Sequence, residues 1–244
     1  MSRRKRWGIL IGAVLAALAL AGVLVIRSAR FQVWSTLRRV RESEHVTAPE
    51  RWLRDWGVVR QLEEREAAAQ LAPLGKGAVA PLARALDDED SNVRAAATLA
   101  LCDMSRPAIP ALIKALKNKD PFVRYRVPPA LGEFGPAAKD AVPALCRVLD
   151  DRTEHTIMRL TAALALGMIG PAAKDAVPAL VRALSDPIIP ELHATAARAL
   201  GEIGPAAKEA VPALKKLAQS DSDERVREAA AEALWKIQLG QYER

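Results

Sequence analysis

The side chains of this chain with the chemistry to hold a metal or attack a substrate are three histidines, two cysteines and two acidic runs. His45, His155 and His193 are far apart and lack the short spacing that brings imidazoles onto one metal. Cys102 and Cys146 stand where segments of similar sequence carry Gly, Val or Lys, so they read as small hydrophobic residues and not as nucleophiles. Asp87-Asp88-Glu89-Asp90 and Asp221-Ser222-Asp223 begin like calcium loops but lack the glycine turn and the distal glutamate. Gly75-Lys76-Gly77 lacks the rest of a phosphate-binding loop. The sequence therefore predicts no catalytic residue, no metal and no cofactor: a protein that is not an enzyme.

Two patterns point to binding. A cation stands two residues after each of five aligned leucines: Arg84, Lys114, Arg147, Arg182 and Lys216. On helices that line one face, this column is a cationic stripe suited to an acidic or extended protein partner. A solvated face balanced by nearby Asp and Glu is the plainer alternative. The second pattern is Val127-Pro128-Pro129 within a helical stretch that also holds Phe122, Arg124, Tyr125, Arg126 and, just beyond, Phe134. Proline inside a helix costs about 3 kcal/mol. The expectation is an interrupted helix whose kink exposes Tyr125 and Arg126 as an anchor, residue types favoured at interface hot spots. The alternative is a tolerated defect filled by larger side chains.

A repeat positions these residues. LGEFGPAAKDAVPAL (131–145), LGMIGPAAKDAVPAL (166–180) and LGEIGPAAKEAVPAL (200–214) differ at only three columns. One ladder of leucines runs Leu82, Leu112, Leu145, Leu180 and Leu214; a second runs Leu101, Leu131, Leu166, Leu200 and Leu234; both have spacings of 30–35 residues. A period of that size with helical patterning means stacked helix pairs. In the first helix of each pair an apolar residue stands eight before the leucine: Val93, Val123, Met158, Leu192 and Val226. Gly135, Gly170 and Gly204 stop that helix, and the proline after each forbids its continuation. Asp140, Asp175 and Glu209 are placed to cap or charge the start of the second helix, with Pro143, Pro178 and Pro212 in its first turn. Asp120-Pro121 and Asp186-Pro187 read as starts of first helices. Arg94, Arg124, Arg159, His193 and Arg227 share one column, which predicts surface positions and, for Asp90, Asp120 and Asp223 four residues earlier, local ion pairs.

These residues resemble the HEAT-like repeats of the phycobiliprotein-lyase type over about residues 61–239, some five units plus a final helix. The resemblance implies an all-α solenoid with a protein-binding surface. In such a stack the second helices line the inner curve, and the cationic column extends roughly 50 Å at about 10 Å per pair. Some members of the family act in bilin attachment or its reversal. An enzyme accessory of that kind is therefore the alternative function, although no residue here matches a lyase centre.

Residues 7–26 form an uncharged apolar run of 20 between Arg3-Arg4-Lys5-Arg6 and Arg27. As a helix it reaches roughly 30 Å, the thickness of a bilayer core. It reads as a single transmembrane anchor. The competing reading is a signal peptide cut after Ala19-Leu20-Ala21, which gives an exported soluble protein, but the apolar run continues past that site. The denser cations before the span place the N-terminus in the cytoplasm and the repeats outside. Gly8, Gly12 and Ala16 offer a weak helix-dimer face. The organisation expected is thus a basic tail (1–6), the span (7–26), a basic connector with a capping helix holding Trp52 and Trp56 (27–60), the repeats (61–239) and a short tail (240–244). Residues 1–60 carry twelve Lys and Arg against four Asp and Glu, a net +8; residues 61–244 carry 24 against 25, a net −1. Nucleic-acid binding needs an unneutralised cationic surface, so the repeats are not expected to bind nucleic acid.

Overall fold

In the computed structural model the described residues are 68–242, except 105 and 188, together with the isolated positions 33, 35, 36 and 66. The predicted span over 7–26, the Gly8/Gly12/Ala16 face, His45 and the pair Trp52 and Trp56 lie outside them. The chain divides into two compact units, Met1–Leu101 and Cys102–Arg244.

Among the described residues every regular element is helical and none is a strand. The first unit holds a 3₁₀ turn at Ala72–Leu74, α1 (Lys76–Ala85) and most of α2 (Ser91–Asp103). The second holds α3 (Ile109–Ala115), α4 (Pro121–Glu133), α5 (Val142–Asp150), α6 (Thr156–Ile169), α7 (Val177–Ala183), α8 (Pro190–Ile203), α9 (Val211–Ser220) and α10 (Glu224–Tyr242). First helices α4, α6, α8 and α10 pack one on the next; second helices α5 and α7 do the same, and each second helix rests on the first helix that follows it. The second unit is therefore two layers of helices with its core between them.

The leucine ladders are that core. All five second-helix leucines, and Leu101, Leu131, Leu166 and Leu200 of the first helices, are fully buried, as are Val123, Met158 and Leu192. Leu234, on α10, is half-buried. Burying each such side chain contributes about 1.5–3 kcal/mol. Small residues let the helices approach: a Cβ on Gly167 would lie 2.9 Å from the Ala199 Cα.

The turns inside each pair confirm one expectation and correct another. Gly170 and Gly204 end α6 and α8 at φ of 69° and 70°, the left-handed region that side chains with a Cβ avoid. Pro178 and Pro212 stand in the first turn of their helices, where the missing N–H costs nothing. Asp140, Asp175 and Glu209 cap nothing. The residues before α5, α7 and α9 are Ala141, Ala176 and Ala210, in helical φ/ψ at the end of 3₁₀ turns. A capping side chain needs an extended residue there.

Two further expectations fail. The helix is not interrupted at Val127-Pro128-Pro129: α4 runs through both prolines from an Asp120 cap to Glu133. Val127, Pro128 and Ala130 are buried in the stack, and that packing outweighs the local cost of proline. Asp186-Pro187 does not start a helix, since α8 begins at Pro190 with no side-chain cap at Ile189. Asp186 turns inward instead. The last helix also continues to Tyr242, past the boundary expected at 239.

Among the described residues one helical run, Thr156–Ala183, is apolar enough by length and composition to cross a membrane, with a mean hydropathy of 1.4 over its best 18 residues. It spans α6 and α7, turns at Gly170-Pro171 and is 56% buried in the stack, which makes it a core pair of the array.

Candidate functional site

The cationic column is exposed at every position. Arg84 lies in the last turn of α1 in the first unit. Lys114, Arg147 and Arg182 lie in the last turns of α3, α5 and α7, and Lys216 lies on α9, all in the second unit. A cation near a helix C-terminus complements the partial negative charge there.

The column is not uniform, and its neighbours decide which cations are available. Arg182 is already engaged: its Nε and Nη2 donate to the two Asp150 carboxylate oxygens at 3.2 and 2.6 Å, a bidentate pair between α7 and α5. That contact raises the Arg182 pKa further. Lys114 and Arg147 make no ion pair among the described residues; Arg147 Nε donates only to the Pro143 carbonyl at 3.3 Å. These two flank a groove of about 500 Å³ between α3 and α5. Its base is apolar, from Ile113, Leu116, Ala144 and Val148. Lys117, Lys119 and Arg124 add to its charge, and Asp151 and Glu154 oppose it. Five cations against two carboxylates leave the groove at +3. The Thr153 hydroxyl and N–H donate to Asp151 and hold its carboxyl below the ordinary range, so that acid stays ionised.

Lys117, Lys119 and Arg124 were not singled out as binding residues by the sequence. The first two stand in the turn between repeats, just after Lys114 in the last turn of α3. The third belongs to the Arg94–Arg227 column, whose members are half-exposed except for Arg159. Those side chains clamp turns. Arg94 Nη1 donates to the carbonyls of Asp88 and Glu89, Arg124 Nη1 to those of Asn118 and Lys119, and Arg227 Nη1 to those of Asp221 and Ser222, all between 2.8 and 3.1 Å. Asp223 pairs with Arg225 and not with Arg227. Arg159 leaves the surface altogether: it is buried, donates from Nε to Leu149 O at 2.9 Å and pairs with Asp186 at 2.6 Å. His193 is half-buried, with Nε2 at 2.8 Å from the Asp186 carbonyl. The signal for this role was an arginine repeated at one position just after an acidic turn.

Tyr125 and Arg126 lie on α4, a first helix, apart from the second-helix column. Tyr125 is half-buried, its ring tilted against His155 at 5.7 Å between centroids. Arg126 is exposed, with its guanidinium carbon 5.2 Å from the Phe122 ring centroid. His155 caps α6, its Nδ1 accepting from Ile157 N at 3.3 Å. Among the described residues no three His, Cys, Asp or Glu side chains converge on a point where a metal could sit.

Both cysteines are free and half-buried. Burial pushes the Cys102 thiol up to about 12, helped by Asp103, and the Cys146 thiol up to about 11, helped by Asp150. The thiolate is the reactive form. Iodoacetamide at pH 8 should therefore label the folded chain at least about a hundredfold more slowly than the chain unfolded in guanidinium. Equal rates would show that burial does not protect these thiols.

A family model described as HEAT repeats matches residues 79–157 and 152–235. No curated protein sequence matches the chain. Among solved structures, an engineered protein is similar at 26% identity and a TM-score of 0.56, over 84% of this chain and 97% of its own. A designed armadillo repeat protein in complex with the peptide (KR)4 is similar at 21% identity and a TM-score of 0.56, over 83% and 98%. The complex of CpcE and CpcF of phycocyanin lyase from Nostoc sp. PCC7120 is similar at 20% identity and a TM-score of 0.51, over 64% of this chain and 97% of that chain.

Proposed function

The chain belongs to the HEAT-repeat family, and on that premise we propose that it is a non-catalytic scaffold, tethered to a membrane by residues 7–26, that holds an acidic segment of a partner protein along its second helices. The observation that carries this reading is the groove between α3 and α5, where Lys114, Lys117, Lys119 and Arg147 surround an apolar base without ion-pair partners among the described residues. A solvated face would neutralise its cations locally, as Asp150 does Arg182. Extended acidic peptides suit such a groove, because carboxylates meet the cations while the aliphatic parts of side chains cover Ile113 and Val148. The designed armadillo relative is in complex with a basic peptide; the groove here requires the opposite charge. The tether is supported by the 20 charge-free residues and their flanking arginines.

The test uses the full chain in detergent and a fluorescent oligoglutamate peptide, read by anisotropy. K114E/R147E should weaken binding at least about tenfold, or about 1.4 kcal/mol. Adding R182E should cost little more, because Arg182 is already spent on Asp150. Raising the salt should weaken the wild type and not the variant. Equal affinity of variant and wild type would remove the groove from the mechanism. Retention of the chain in the membrane pellet after carbonate extraction checks the tether; release into the supernatant would refute it.

A further inference from the structure

The groove between α3 and α5 carries more charge than carboxylates alone can match in the space it offers. Lys114, Lys117, Lys119, Arg124 and Arg147 line it together with Asp151 and Glu154, a net +3. Both acids are held on their own side. Asp151 accepts from the Thr153 hydroxyl and N–H at 2.6 and 2.9 Å, inside its own turn. Glu154 accepts from His155 N at 3.2 Å and lies 3.7 Å from Arg124 Nη2. Asp150, the neighbour of Asp151 at the end of α5, is engaged with Arg182. Among the described residues no acid is left to pair with Lys114, Lys117, Lys119 or Arg147.

Size limits what a partner can bring. The volume of about 500 Å³ corresponds to a space roughly 8 Å across, which an extended chain crosses in two or three residues at about 3.3 Å each. Successive side chains point to opposite faces, so only one or two of them enter. Two carboxylates bring −2 and leave the groove positive. A phosphate monoester carries about −1.5 to −2 at neutral pH and offers three strong acceptor oxygens. With one carboxylate beside it, the inward-facing pair brings about −3 and balances the site. Building on the scaffold reading, and resting on it, we propose that the acidic segment held by this groove is phosphorylated on a serine or threonine, with its phosphate among Lys114, Lys117, Lys119 and Arg147. Arg147 suits that role: its Nε donates to the Pro143 carbonyl at 3.3 Å, and its terminal nitrogens are left to grip two phosphate oxygens at once.

A nucleic acid fits less well. Its phosphates recur along a strand and need a continuous cationic track, which ends here at the neutralised Arg182. No aromatic ring lines the groove to stack a base.

Two labelled peptides read by anisotropy, titrated with the full chain in detergent, test the assignment. One has a phosphoserine two residues before a glutamate; its twin has glutamate at both positions. At pH 7.5 the phosphopeptide should bind at least about fivefold more tightly than the twin. At pH 5.5 the phosphate, with a second pKa of about 6, has given up most of its second charge, whereas a glutamate of pKa about 4.3 stays mostly ionised. The preference should shrink toward parity over that range. Whatever His155, beside Glu154, contributes acts on both peptides alike. K117Q/K119Q, at exposed positions, takes the groove from +3 to +1 and should abolish the preference at pH 7.5 with the thermal midpoint held. If the twins bind alike at pH 7.5 and both are lost in K114E/R147E, the phosphate assignment falls and the scaffold reading stands. If neither peptide binds, both fall. A preference that survives K117Q/K119Q, or that does not narrow at pH 5.5, overturns the assignment. So does tighter binding of inositol trisphosphate than of the phosphopeptide, which would make this a lipid-headgroup site.

Discussion

Replacing Arg159 with methionine should destabilise the second unit by about 3–5 kcal/mol, the cost of leaving one member of a buried ion pair without its partner. Arg159 and Asp186 side chains are 5% and 3% exposed and meet at 2.6 Å. The loss is compounded, since Arg159 Nε also satisfies the Leu149 carbonyl at the end of α5. Asp186 still accepts from Ile189 N at 3.1 Å. The pair thus ties the end of α5, the start of α6 and the loop before α8 into one node. R159M/D186L should recover part of the loss, because an apolar pair removes the orphaned charge. It should not recover all of it: the Leu149 carbonyl and the Ile189 N–H would remain unpaired, at about 1–3 kcal/mol each where buried. Denaturant melts of the three chains measure this. A single variant within 1 kcal/mol of wild type would mean that water replaces the lost partner and that the node is not closed.

A methyl group at Gly167 should cost about 1–3 kcal/mol, and a leucine more. A Cβ there would lie 2.9 Å from the Ala199 Cα and 3.1 Å from its Cβ. Two effects compete. Alanine in place of glycine favours a helix by up to about 1 kcal/mol. Against it, the contacted atom is backbone, which cannot rotate away, so α6 and α8 must separate and lose packing along their length. The second effect is the larger. Gly132 offers an internal comparison, because its nearest neighbour at 2.9 Å is the mobile Met168 sulfur, with the Ala165 Cα next at 3.1 Å. Gly132→Ala should therefore cost less than Gly167→Ala. The reverse order in thermal melts would show that helix spacing is not set by these glycines.

The repeat was legible because it is written in residues that act locally. Gly170 and Gly204 followed by proline end helices whatever lies around them, and Leu145, Leu180 and Leu214 recur at the spacing of stacked pairs. The expectations that failed were those in which a local rule met a tertiary one. Pro128 and Pro129 break isolated helices, but α4 continues through them, with Val127 and Ala130 buried in the stack. Asp186-Pro187 has the form of a helix start, but Asp186 finds a buried guanidinium from the preceding repeat and the helix begins at Pro190.

The candidate sites divide along the same line. The five cations of the column could be named from sequence, and all five are exposed. Which of them are free could not, because Asp150 reaches Arg182 across 32 residues of chain while nothing described reaches Lys114. The exposure of Leu164 was invisible for a related reason: an exposed leucine and a core leucine are the same letter, and only the stacked helices decide that Leu164 faces water.

Sequence alone determined that this chain is helical, that it repeats, and which leucines and glycines build the repeat, since each of these follows from periodicity and from backbone preferences of single residues. Tertiary structure alone decided which charges are neutralised, which arginine is interior and which apolar residues are left uncovered. Burial and ionic pairing are properties of side chains brought together from different repeats, and near-identical copies carry no mark of their neighbours.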